Sequence, residues 1–161
     1  MNKSTQEVIF SSKSDEWSTP KDFFDKLNAI YNFTLDPCAT DENHLCEKYF
    51  TAEDDGLSQS WGGESVFMNP PYGSGIGDWL EKAWGEVNAT NNPAKVVVAL
   101  IPSRTDTKYF HSYCLRADEI HFVKGRLKFG SSTNSAPFPS CVVVFRPKPP
   151  TYPKMSSIGR K

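Results

Sequence analysis

The stretch that most constrains this chain is Val66-Phe67-Met68-Asn69-Pro70-Pro71-Tyr72. Ser65 to Met68 reads as a short buried strand. Two prolines then end it, because neither has an N–H for a sheet ladder and each fixes its own φ. Asn69 is left at the carboxyl end of a strand, and a flat ring follows at Tyr72. The Asn69 side-chain oxygen and the Pro70 carbonyl can each accept one N–H bond. Tyr72 offers a face on which a base can stack. That set suits an exocyclic amino group on a planar ring. A tight turn is the plainer account of the same residues, since Asn-Pro is common in turns.

The rest of the chain alternates between strand and helix patterns. Thr19-Pro20 predicts a helix start with Thr19 as N-cap and Pro20 in the first position. Phe23, Phe24, Leu27 and Ile30 follow at helical spacing. Phe33 to Leu35 reads as a strand ending at Asp36-Pro37, and Tyr49-Phe50 as a short strand. Asp54-Asp55-Gly56 is a turn. A glycine-rich loop over 73–77 precedes a helix over 78–88, with Trp79, Leu80, Ala83 and Val87 on one face. Lys95 to Ile101 is a strongly apolar strand. A helix is expected over Asp106 to Leu115, with Tyr109, Phe110 and Tyr113 inward. Strands follow at Glu119–Val123 and Cys141–Phe145. They are joined by a loop over 125–139 with a hairpin around Gly125–Phe129. Pro147, Pro149, Pro150 and Pro153 predict no regular structure beyond. The alternation favours an α/β sandwich with a mostly parallel sheet and an antiparallel last strand. Ligands of such sheets sit beyond the carboxyl ends of the strands. The organisation expected is a loose segment 1–14, one domain over 15–146, and a Pro-rich basic tail over 147–161.

Composition narrows the class. With 161 residues and 38% hydrophobic content, one globular domain with a real core is expected. No apolar run approaches the ~20 residues of a membrane span. The first residues lack the apolar core of a signal peptide, so a cytoplasmic location is expected. Cys38, Cys46, Cys114 and Cys141 have no zinc-ribbon spacing. They read as small buried thiols, and no metal site is expected. The net charge of −1 hides an asymmetry. From Ile120 onward there are eight basic residues and no acidic one, leaving ten of the 18 basic and all 19 acidic residues in the first 119. A basic quarter on an acidic chain fits a phosphate-binding footprint, although charge runs are usually solvated. Lys124, Arg126 and Lys128 are the functional candidates. Lys154, Arg160 and Lys161 read as tail.

Six stretches, in order, carry a resemblance: Trp17-Ser18-Thr19-Pro20, Leu35-Asp36-Pro37-Cys38, Asp55-Gly56-Leu57, Asn69 to Tyr72, Leu100-Ile101-Pro102 and Gly125 to Phe129. Over about residues 15 to 146 the chain resembles the small phage-type DNA adenine-N6 methyltransferases, which depend on S-adenosylmethionine. The resemblance implies a compact Rossmann-like methyltransferase fold, DNA as substrate, a phage or prophage origin, and a role in modifying DNA against restriction or marking it for replication. No obligate protein partner is expected. It implies that Asn69 and Pro70 accept the amino group of a flipped adenine and that Tyr72 stacks on the base. Asp36-Pro37 would lie against the cofactor, and Asp54 or Asp55 would bind its adenine amino group. Thr19-Pro20 would meet its methionine carboxylate, with Trp17 packed on it or on the core. The loop from Gly125 would face DNA. Arg126 and Lys128 are candidates for phosphates or a base edge, Phe129 or Phe138 for a second stacking face, and Arg104 for a further contact. One departure stands out: Cys38-Ala39-Thr40 replaces the family's glycine-rich continuation after Asp36. Plain turns explain Asp36-Pro37 and Asp55-Gly56 equally well, and a plain N-cap explains Thr19. Methylation of RNA adenine or of a protein glutamine amide would use the same motif. A non-catalytic DNA-binding module would keep the fold without the chemistry.

Overall fold

Seven consecutive buried residues, Val96–Pro102, form the central strand β4. Their side chains alternate between two cores. Val97, Ala99 and Ile101 join one cluster, and Val96, Val98 and Leu100 join the other. A strand apolar on both faces must be covered on both faces, which dictates a layered α/β sandwich. The structure, a computed structural model, describes residues 17–130, 132–148 and 151–161. The expectation for residues 1–14 lies outside them.

The remaining strands are β1 (Leu35–Asp36), β2 (Lys48–Tyr49), β3 (Ser65–Met68), β5 (Glu119–Val123), β6 (Ser140–Phe145) and β7 (Lys154–Ile158). They form one sheet in the order β2-β1-β3-β4-β6-β5-β7. Strand β6 runs antiparallel to β4 and β5, and every other pair is parallel. The expected α/β fold with a mostly parallel sheet is therefore present. The Cys141–Phe145 strand is the antiparallel one. Helices α2 (Ile76–Val87) and α3 (Lys108–Ser112) cover one face through Ile76, Leu80, Ala83 and Phe110. Helix α1 (Lys21–Tyr31) covers the other through Phe23, Phe24 and Leu27, beside Leu127, Phe129 and Phe138 of the long β5–β6 loop. Among the described residues no helix is long and apolar enough to cross a membrane.

The structure corrects several local expectations. Pro20, not Thr19, occupies the N-cap position of α1, and no side chain caps that helix. Ile30 is 62% exposed, because it lies on the outer side of the last turn. The helix expected over 106–115 is a shorter α-helix, capped by the Thr107 side chain, followed by a 3-10 turn at Cys114–Arg116. No strand hairpin forms around Gly125–Phe129. That loop is closed instead by a backbone bond from Ala136 N to Leu127 O at 2.8 Å, beside a side-chain bond from Arg126 to Ala136 O. The chain beyond Pro147 is also not without regular structure. Lys154–Ile158 pairs with β5 over five residues. Prolines bar a ladder only where they stand, and this segment starts immediately after Pro153.

Candidate active site

The chain leaves β1 toward β2 on one side and leaves β3 toward β4 on the other. Neighbouring strands whose connections diverge open a crevice at their carboxyl ends. A cleft lies there. Its walls are Trp17 to Thr19, Asp36 with Cys38, Asn43 and Leu45 of the β1–β2 loop, and Phe67 with Asn69 to Tyr72. Three separate sequence motifs thus converge on one cavity.

Asn69 follows β3 with the side-chain direction of Phe67, toward the α1 layer. Its amide nitrogen donates to the Trp17 carbonyl at 2.8 Å and to the Thr19 hydroxyl at 3.0 Å. A carbonyl can only accept, so chemistry fixes which end of the amide faces it. Among the described residues the Asn69 side-chain oxygen is buried and has no hydrogen-bond partner. An unmet buried acceptor costs about 1–3 kcal/mol, so the site is incomplete until a donor arrives. Tyr72 is half-buried and its hydroxyl is fully buried. Burial pushes that phenol well above its ordinary range, with smaller contributions from Cys141 and Tyr109. Tyr72 therefore keeps its proton and offers its ring. Phe129 and Phe138 meet that ring edge-on at 90° and 83°, with centroids at 6.1 and 5.4 Å. Trp17 packs among all three, at 6.2 Å from Tyr72, 5.7 Å from Phe129 and 5.1 Å from Phe138.

Asp36 is buried at 4% exposure. One carboxylate oxygen accepts from Cys38 N at 3.3 Å and the other from Leu45 N at 3.1 Å. Burial raises its pKa to about 6, against the lowering effect of the Leu45 and Cys38 amides and of His44. The carboxylate thus folds the β1–β2 loop back over the cleft, which explains how Cys38-Ala39-Thr40 can stand without the glycine-rich turn. Asn43 and Leu45 reach the cleft by the same fold. Residues 38–48 have no periodicity, so the sequence carries no signal for them.

The other candidates lie apart. Asp54 and Asp55 are exposed and outside the cleft walls. One Asp54 oxygen accepts from the Thr51 amide and hydroxyl at 2.9 and 3.1 Å. Asp55 has φ 55°, which starts the 3-10 turn at Gly56–Ser58. Arg104, Arg126 and Lys128 are exposed beyond β4 and β5. The Arg126 guanidinium donates to Ala136 O at 3.2 Å, and Arg160 donates to Arg126 O at 3.3 Å. Lys26 of α1 donates to the carbonyls of Gly159 and Lys161 at 3.1 and 3.0 Å. Arg160 therefore joins the basic cluster, which the sequence reading had left as tail. Phe129 and Phe138 are buried at 1% and 8% exposure and present edges, not open faces.

Residues 6–160 match the family model of the DNA N-6-adenine-methyltransferases (Dam). The chain belongs to that family. The match extends the resemblance through the last strand and Arg160 after it. The DNA N-6-adenine-methyltransferase of Haemophilus phage HP1 is 31% identical over 147 residues, which are 86% of this chain and 83% of the relative. That of Escherichia phage T1 is 31% identical over 115 residues, 70% of this chain and 46% of the longer T1 protein. A DNA N-6-adenine-methyltransferase must hold a methyl donor beside a base. Asn69, Tyr72 and Asp36 all line the one cleft.

Proposed function

We propose that this chain transfers a methyl group from S-adenosylmethionine to N6 of an adenine swung out of DNA at a specific site. The observation that carries the reading is the Asn69 oxygen, buried and unpartnered among the described residues, on a residue that lines the strand-end cleft. An adenine amino group is a weak nucleophile because its lone pair is delocalised into the ring. Two acceptors set off the base plane, Asn69 Oδ1 and the Pro70 carbonyl, favour a pyramidal nitrogen and direct its lone pair. The cofactor supplies an activated methyl on a sulfonium. The protein contributes orientation and fixed dipoles. Tyr72 holds the extruded base by stacking, its ring braced by Phe129 and Phe138.

Asp36 and the backbone amides of Trp17 to Thr19 are the cofactor side of the site. A buried carboxylate suits a cationic ligand, and the start of α1 suits a carboxylate. Asp54 or Asp55 would reach the cofactor's adenine only from outside the cleft walls. The charges support DNA on the opposite side. Arg104, Lys124, Arg126, Lys128 and Arg160 all follow the carboxyl ends of β4, β5 and β7. That basic edge favours nucleic acid over a protein amide. The test is expression in a host free of adenine methylation, followed by digestion of its DNA and RNA to nucleosides. N6-methyladenine in DNA, lost in Asn69→Ala, is the expected result. The modified base in RNA alone would move the activity to that acceptor, and none in either would leave a binding module.

A further inference from the structure

We infer that Thr19 is a positioning residue for the Asn69 amide, locking its oxygen toward the reacting base. The inference rests on the reading of Asn69 given above and deepens it. A terminal amide torsion is broad and roughly two-fold, so nothing intrinsic keeps an Asn oxygen on one side. Flipped, the amide would present N–H groups to a substrate amine that itself donates, and the only side-chain acceptor in the mechanism would be gone. Two contacts oppose the flip. The Trp17 carbonyl takes one amide hydrogen at 2.8 Å, and the Thr19 hydroxyl takes the other at 3.0 Å. The carbonyl belongs to the backbone and cannot be deleted. The hydroxyl is the one part of the lock that a side chain supplies. It is available because Pro20 holds the N-cap position of α1 and Thr19 caps nothing. The same contact ties the residue 17–19 segment, which lines the cofactor side of the cleft, to the catalytic motif.

Thr19→Val removes the hydroxyl at nearly constant volume, and Thr19→Ser keeps it. A typical hydrogen bond contributes roughly 1 kcal/mol, about a five-fold change in an equilibrium. Single-turnover methyl transfer should fall about five- to ten-fold in Thr19→Val. Cofactor affinity by calorimetry should stay within about three-fold, and Thr19→Ser should restore most of the rate. A second readout needs no turnover. The Asn69 side-chain amide protons, assigned in NMR spectra by their absence in Asn69→Ala, should exchange with solvent faster in Thr19→Val than in the wild type. Unchanged exchange would overturn the inference. So would a serine variant no better than the valine one, or a loss of cofactor affinity larger than the loss of rate, which would make Thr19 a cofactor contact. An Asn69→Ala enzyme that still transfers methyl groups at the wild-type rate would instead overturn the reading of Asn69 itself.

Discussion

Asp36 should make cofactor binding depend on pH between 5 and 7. Its carboxyl is buried at 4% exposure, and burial lifts its pKa from 3.8 to about 6. A carboxyl raised in the folded state favours folding most below its unfolded pKa. That contribution is lost as pH rises through the folded value, so at pH 7 the native protein carries an ionised group that burial disfavours, by about 3 kcal/mol. A cationic ligand beside it reverses the balance, because it favours the ionised form. S-adenosylmethionine keeps its sulfonium and ammonium charges across this range, so Asp36 is the group that changes. With a pKa near 6 about one-eleventh of the protein is ionised at pH 5 and about ten-elevenths at pH 7. If only the ionised form binds well, affinity should rise about ten-fold over those two units. Calorimetric titrations at constant ionic strength would measure it. Asp36→Asn should bind more weakly at pH 7 and show little dependence on pH. The same linkage predicts a larger cofactor-induced rise in melting temperature at pH 7 than at pH 5. Affinity that is flat from pH 5 to 7, or that falls with rising pH, would refute the placing of the cofactor's charge at Asp36.

Other outcomes follow from the same geometry. Asn69→Ala should abolish most methyl transfer while leaving cofactor affinity within a few-fold, read by radiolabelled transfer and calorimetry. Neutralising Arg126 and Lys128 together should weaken DNA binding and lower the salt slope by about one per lost phosphate contact. Arg160→Ala should lower it as well, since Arg160 is docked on Arg126. Point changes are the right probe there, because truncation after Arg146 would remove β7 and test the sheet instead. Gly56→Ala would place a methyl 2.3 Å from Pro37 O and 3.0 Å from the Trp79 ring. It should destabilise the protein by about 1–3 kcal/mol, visible as a lowered midpoint in urea.

What was legible in the sequence was local or periodic. The apolar run from Lys95 to Ile101 was legible as a strand, and two prolines had to leave Asn69 at a strand end. Helix α2 showed its face through Leu80, Ala83 and Val87. What was hidden depended on partners far along the chain. Thr19 looks like an N-cap until Asn69, fifty residues away, claims its hydroxyl. Asp36 looks like a strand-ending turn until the amides of Cys38 and Leu45 close on it. Strand β7 carries little pattern because an edge strand needs only backbone to pair, and most of its side chains are exposed.

The charge asymmetry was legible as a number but not as a place, and strand order supplies the place. The chain builds β1 and β2 first, at one end of the sheet, and β5 and β7 last, at the other. Asp36 ends β1, and the acidic residues Asp41, Glu42, Glu53, Asp54 and Asp55 follow β1 or β2. The basic residues Lys124, Arg126, Lys128, Arg160 and Lys161 all follow β5 or β7. A drift of charge along the sequence thus becomes a gradient along the carboxyl edge of the sheet. Strand β3 lies between the two ends and carries Asn69. On the proposed reading a cationic cofactor would be drawn to one flank of that residue and a polyanion to the other, so their fields would not compete for the same ground. On that reading strand order would let one sheet edge serve both substrates, with the Asn69 amide at the boundary where the methyl group must cross.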